Sequence, residues 1–282
     1  MILNEALLIF FIVLFALCIG SFLNVVIHRL PHMLISVWRV ECQEMLGQRV
    51  EEPRPTFNLV WPRSQCVDCK TTISWWANIP LLSYVFLRGR CYACKTHISL
   101  RYPIIELLAV MMALLCYAKY GASIAFLGSS VLGFGLIAAA AIDIEHQLLP
   151  DQLILPLLWL GLILNAFGVY VSPSEAILGA TVAYSALWLF AHLFTLLAKK
   201  EGMGHGDFKC FALFGAWLGY KPLLLILLLA TLVGAIVGIL WLTLTKQGKD
   251  TPLPFGPYLI GAGLIAMLWG DTIMTTYMAI AF

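Results

Sequence analysis

Along the chain, apolar residues gather in blocks of about the twenty residues that a membrane-crossing helix needs, and polar residues fall between the blocks. Eight blocks stand out: Ile2–Ile27, Pro103–Ala118, Ala122–Ile142, Gln152–Val171, Glu175–Ala198, Asp207–Gly219, Pro222–Thr245 and Leu253–Gly270. Two are short. Pro103–Ala118 is one, and Asp207–Gly219 reaches only about 20 Å at ~1.5 Å per residue. The latter opens on Asp207 and Lys209, which sets charge at or inside the membrane boundary. The pattern predicts an all-α polytopic membrane protein with about eight transmembrane helices.

The one long polar stretch, His28–Tyr102, lies between the first two blocks and carries turn residues such as Gly47, Pro62, Pro80 and Gly89. A segment this small struggles to bury a sufficient core and should need a staple. The chain thus divides into a first transmembrane helix (1–27), a small soluble segment (28–102) and a membrane domain (103–282).

Composition agrees with this division. The 282 residues are 61% apolar and 11% charged, with a mean hydropathy of +0.92, whereas soluble domains carry about a quarter charged residues. The net charge of +2 hides a strong asymmetry. Of the 17 Lys and Arg, only Lys119 and Lys221 fall on the opposite side; the other 15 lie in His28–Tyr102, in Lys199–Lys209 at the edge of the sixth block, or after Thr245, and include Arg49, Arg54, Lys200, Lys246 and Lys249. Basic residues mark the cytosolic side, so His28–Tyr102 is expected in the cytosol and both termini opposite. The partner of so basic a face is the lipid bilayer, through its anionic headgroups; no nucleic-acid partner is expected.

The staple is legible in Cys66-Val67-Asp68-Cys69 and Cys91-Tyr92-Ala93-Cys94, two CxxC pairs with 21 residues between them. Paired knuckles at this spacing bring four thiolates to one tetrahedral zinc, whose binding supplies folding free energy. The alternatives are redox-active CxxC pairs or unconnected thiols; a reducing cytosol argues against static disulfides. Directly before Cys91 stands Arg88-Gly89-Arg90. Gly89 permits close backbone approach, and two arginines suit a carboxylate. A knuckle turn with solvated charges is the alternative.

Ionisable groups in or at the ends of membrane spans are costly, so each is a functional candidate. Asp151, after Pro150, reads as a helix N-cap. His192, alone on an apolar helix, reads as a satisfied core histidine, and Glu145 and His146 as solvated loop residues. Glu106 reads as an anchor pairing with an arginine such as Arg101. Asp143 and Asp207 resist such dismissal. Asp143 closes the run Ala122–Ile142, and Asp207 opens the sixth block within Gly204-His205-Gly206-Asp207-Phe208-Lys209. Two carboxylates at one depth on different helices can share a proton, the ionised one drawing a proton from water while the other polarises a carbonyl. Carboxylates along an ion pathway would look alike. Gly204 and Gly206, without Cβ atoms, leave room for an extended peptide. Lys209 either pairs with a carboxylate and holds the geometry or snorkels to headgroups. Because Asp143 ends a helix and Asp207 begins one, opposite dipole ends are expected to place the shared proton on Asp143.

These residues carry a resemblance. Gly204–Lys209 is similar to the GxGD signature of membrane aspartyl peptidases, in the GxGDxK form of the type IV prepilin peptidases. Ile142–Asp151, Gly20–Pro31, Arg101-Tyr102-Pro103 with Glu106, Pro254-Phe255-Gly256-Pro257 and the tetracysteine pair resemble further motifs of the family, from the first helix to the last. His28 departs from it, an aromatic residue being more usual before Arg29. The resemblance implies Asp143 and Asp207 as the catalytic pair, supported by Gly204, Gly206 and Lys209. It implies cleavage of the basic leaders of type IV prepilins and type II secretion pseudopilins at the cytosolic face of the bacterial inner membrane. It also implies methylation of the new N-terminus from S-adenosylmethionine, an activity linked to the tetracysteine segment, where Arg88, Gly89 and Arg90 are the candidates for the donor. A transporter using intramembrane carboxylates is the rival reading, although no internal repeat supports it.

Overall fold

The computed structural model describes residues 2–48, 57–199, 202–245 and 253–281. Arg49, Arg54, Lys200, Lys246 and Lys249 of the charge pattern lie outside them. The described residues form nine helices: α1 (Ile2–Met45), α2 (Leu82–Phe86), α3 (Arg101–Tyr120), α4 (Ile124–His146), α5 (Asp151–Ala166), α6 (Pro173–Ala198), α7 (His205–Leu218), α8 (Leu223–Thr245) and α9 (Gly256–Ala281), with a 3-10 turn at Trp75–Asn78. Six of them, α1, α3, α4, α6, α8 and α9, are long and apolar enough to cross a membrane. With 16 and 14 residues, α5 and α7 are shorter. All eight apolar blocks reappear as helices, and the differences lie at their ends.

The largest difference is α1. Expected to stop at Ile27, it continues to Met45, 44 residues or about 66 Å. The polar residues after Ile27 end the apolar run without ending the helix: protein covers it as far as Leu34, and Ile35–Met45 runs on largely exposed. Leu23, Asn24, Val26, Ile27, Arg29 and Leu30 are all buried, which covers most of the helix circumference. Pro31 sits within this covered stretch, where its missing N–H removes one backbone bond. The outward extension of α9 beyond Gly270 is a similar overrun.

The chain forms two compact units, Met1–Leu114 and Leu115–Phe282, and the division falls inside α3. In the first, a methyl group on Gly20 would lie 2.7 Å from the Glu106 Cα, so α1 and α3 touch backbone to backbone there. On the other side of α1, the Arg29 guanidinium donates to the carbonyls of Asn58 (2.8 Å) and Pro62 (2.6 Å). The Asn58 side chain in turn accepts from the N–H groups of Val60 and Trp61. One buried cation thereby ties the loop at 58–62 to the helix.

The second unit is built around α7. Its residues from Asp207 to Trp217 are buried with the exception of Lys209, as expected of a helix apolar on every side. It packs against α5, α6 and α9. Gly215 meets Gly179 of α6 so closely that no side chain fits between the helices. At the other end of the contact with α5, the Trp217 indole donates to the Leu157 carbonyl at 2.8 Å. Asn165, fully buried, donates to the carbonyls of Ala216 and Trp217 and accepts from the N–H groups of Tyr170 and Val171. A buried amide stays only when its groups are paired, and this one pins the C-terminal half of α7. The N-terminal half carries Asp207.

Outward faces are apolar. Leu224, Leu228, Leu232 and Ile236, four apart on α8, are each more than half exposed, the surface a bilayer would cover. His192 belongs to such a face: it is exposed and stacks on Trp188 at 4.3 Å, rather than sitting in the core.

Candidate active site and metal centre

Asp143 and Asp207 are both buried, at 6% and 9% exposure, and lie near enough for their charges to interact. Each is fixed by the N-terminus of a helix. Asp207 is the third residue of α7, after the N-cap Gly204, and its carboxylate reaches back to the Gly204 N–H, half of a capping box. Asp143 lies one turn before the end of α4, where the Gln147 N–H closes on its carbonyl at 2.9 Å. Its carboxylate accepts from the N–H of Gly256, the first residue of α9. The expected contrast of dipole ends therefore fails. Both carboxylates meet positive helix ends, so the helix dipoles give no ground for assigning the shared proton to Asp143.

Leu149, buried in the turn after α4, completes the arrangement. A methyl on Gly206 would come 2.8 Å from its Cβ, and one on Gly256 would come 3.1 Å from its Cδ1 and 2.5 Å from Asp143 Oδ2. Three helix ends close around this one side chain, which leaves space only for glycine. Gly204 is less confined; a methyl there would lie 3.7 Å from Asp207 Oδ2. Lys209 does pair with a carboxylate: its Nζ sits 2.8 and 2.7 Å from the two oxygens of Asp151. Asp151 is thus an ion-pair partner at the first position of α5, behind the N-cap Pro150, and its expected role as the cap is corrected. The bridge joins the starts of α5 and α7 beside Asp207.

In the first unit, Cys66, Cys69, Cys91 and Cys94 bring their four sulfurs within 4.8 Å of one another. The Cys66 and Cys94 sulfurs are 3.8 Å apart, which matches the edge of a tetrahedron with metal–sulfur bonds of about 2.3 Å. The two knuckles are copies. Each reads Cys-x-x-Cys-Lys-Thr, with the lysine at positive φ (Lys70 56°, Lys95 61°). In each, the first cysteine N–H donates to the threonine carbonyl, Thr71 at 2.9 Å and Thr96 at 2.8 Å. Hydrogen bonds with Thr96 hold the Cys94 thiol down to about 6, so it meets a cation as a thiolate. Four thiol donors in this geometry are a fit for a zinc-type ion.

Two family models cover the chain. The Bacterial Peptidase A24 N-terminal domain matches residues 14–120, and the Type IV leader peptidase family matches residues 130–239. A prepilin leader peptidase/N-methyltransferase of Pseudomonas aeruginosa is 48% identical over 269 residues, 95% of this chain and 93% of that one. Those of Legionella pneumophila and Xanthomonas campestris are 45% and 43% identical, each over 94% of this chain and 92% of their own. The chain belongs to the type IV leader peptidase family. No solved structure matches it.

The remaining candidates of this leader peptidase chain separate into places. Arg88 and Arg90 line a cavity of about 330 Å³ with Leu87, Cys91, Lys95 and His97. Gly89 between them is buried at φ +65°, and the Tyr84 hydroxyl lies 2.8 Å from where its Cβ would be. Glu106 is buried; it accepts from the Leu81 N–H at 2.8 Å and from the Ser21 hydroxyl. His205 is exposed beside Phe208, and Glu145 and His146 are exposed at the end of α4. Sequence reasoning missed Leu149, Gly256 as the partner of Asp143, and the repeated lysine–threonine pair. The last was in view as a literal repeat; the first two depend on contacts between distant segments.

Proposed function

We propose that the protein is a bifunctional membrane enzyme that removes the basic leader of type IV prepilins and type II secretion pseudopilins and then methylates the exposed N-terminus. Asp143 and Asp207 are the catalytic pair. The observation that carries this is the meeting of two buried carboxylates from different helices, each held by a glycine N–H, around a point where only backbone fits. With one carboxylate ionised and the other protonated, the first takes a proton from water as its oxygen attacks the scissile carbonyl, and the second gives its proton to the carbonyl oxygen. Collapse of the tetrahedral species breaks the C–N bond: the mature side leaves as the amine, taking up the proton that the first carboxylate drew from water, and the leader is released with a new C-terminal carboxyl group. Gly204 keeps the approach open, Gly206 makes room for Leu149, and Lys209 holds the start of α7 through Asp151.

Cys66, Cys69, Cys91 and Cys94 hold a structural zinc, which stabilises a cytosolic segment too small to fold on its core alone. S-adenosylmethionine supplies the methyl group. The names of the relatives, leader peptidase and N-methyltransferase, support both activities and lend nothing to the transporter reading. The basic-residue pattern supports a multi-pass placement in the bacterial inner membrane, with the aspartates at the cytosolic face.

The test is leader removal from a purified prepilin in detergent, followed by mass spectrometry. Asp143→Asn and Asp207→Asn should each lower the rate at least about a thousandfold, within the range lost with an acid–base group, while the melting temperature is retained. Cleavage at the wild-type rate in either variant would refute the pair.

A further inference from the structure

The first unit holds a second, larger cavity of about 520 Å³, within the ~300–1,000 Å³ usual for small-molecule sites. One wall is a stripe of α1, Ser21, Val25, His28 and His32. These are the positions that the packing around α1 leaves at least partly open. Facing this stripe are Tyr102 and Glu106 of α3 and Asn78 and Tyr84 of the cytosolic segment.

Three polar groups in this wall are not used up by the fold. Asn24 is 3% exposed; its amide nitrogen donates to the carbonyls of Gly20 and Tyr102, but its Oδ1 is buried with no partner. His28 Nδ1 is likewise buried and unpartnered. Glu106, 7% exposed, spends one carboxylate oxygen on the Leu81 N–H and bonds the Ser21 hydroxyl, which leaves further acceptor sites. An unpaired buried polar group costs about 1–3 kcal/mol, so a wall with two orphan atoms and a carboxylate asks for a ligand rich in donors and positive charge.

We propose that this cavity is the methyl-donor site, with Glu106 opposite the cationic end of S-adenosylmethionine and Asn24 and His28 bonding its polar groups. The proposal rests on the methyltransferase half of the function above and gives it a place. Charge selects this cavity over the smaller one. The donor carries a sulfonium and an ammonium against a single carboxylate. The walls of the smaller cavity hold Arg88, Arg90, Lys95 and His97 and no acid, and would repel those cations. In the larger cavity the buried acid lies with the ring of Tyr84, whose face also attracts cations, while Tyr102 already carries the Arg101 guanidinium at 5.2 Å. The basic residues lining it, Arg29 and Lys70, offer a partner for the donor's carboxylate.

The experiment uses the full-length protein in detergent and measures S-adenosylmethionine binding by calorimetry, independent of turnover. Glu106→Gln should weaken binding at least tenfold at an unchanged melting temperature, and His97→Gln, in the smaller cavity, should not. Ultraviolet cross-linking of the wild type with methyl-labelled donor provides a readout that needs no variant: label is expected on α1 within 21–32 or at Tyr84 and Tyr102. Wild-type affinity in Glu106→Gln, or label confined to Arg88–His97, would overturn the placement and leave the methyltransferase reading intact. Failure of the wild type to bind the donor at all would overturn both.

Discussion

Gly256 constrains the proposed active site as tightly as either aspartate. Its N–H holds the Asp143 carboxylate, and its missing Cβ leaves the space that Asp143 Oδ2 and Leu149 occupy. Gly256→Ala is expected to slow leader cleavage at least tenfold and to lower the melting temperature, since its methyl would enter space that Asp143 Oδ2 and Leu149 already fill. Cleavage at the wild-type rate would mean that Asp143 does not need its seat on α9. The two aspartates were legible in the sequence because a carboxylate bordering a long apolar run is costly and therefore rare. Gly256 was visible only as part of a motif, since what it touches is decided by how α9 approaches α4. The Asp151–Lys209 bridge was half legible. That Lys209 would find a carboxylate was a fair expectation, but local preference argued for Asp151 as a cap. Tertiary contact with α7 gave its carboxylate a different partner.

Among the elements, helix identity followed from apolar run length, and helix ends did not. Lipid and protein can cover the same helix in succession, so α1 passes from an apolar stretch into His28, Arg29 and His32 without a break. The short α7 is explained by its surroundings: about 21 Å long, it is enclosed by α5, α6 and α9 rather than presented to lipid. The paired knuckles are the element whose stability depends most on something outside the chain's own packing. Purified protein should carry about one zinc per chain, read by elemental analysis. Cys91→Ser, which removes the buried ligand, should abolish it and speed proteolysis within 57–100. Retention of metal in that variant would show that the four sulfurs are not a single site. Because the knuckles repeat the same hydrogen bonds around Thr71 and Thr96, substituting either half should have the same effect.

For the whole molecule, the sequence marked a membrane protein with a small polar insert, but not that the insert and α1 form one compact unit with most of α3. That grouping comes from contacts on opposite sides of α1. Gly20 and Asn24 face α3, and Arg29 grips the carbonyls of Asn58 and Pro62. The continuous helix therefore acts as a shaft whose angular phase matters as much as its length. One alanine inserted after Ile27 would turn everything beyond it by about 100° and lift it by about 1.5 Å, carrying Arg29 away from its two carbonyls while Gly20 stays in place. Proteolysis within 57–100 should accelerate sharply in that variant. Seven inserted residues return the phase to within about 20° at a displacement of about 10 Å, so comparing the two insertions separates rotation from translation. A shaft keyed at two angles has a further consequence for evolution of the chain: single-residue insertions and deletions between positions 20 and 29 are barred, whereas a substitution that keeps the phase, such as one at the exposed Phe22, is tolerated.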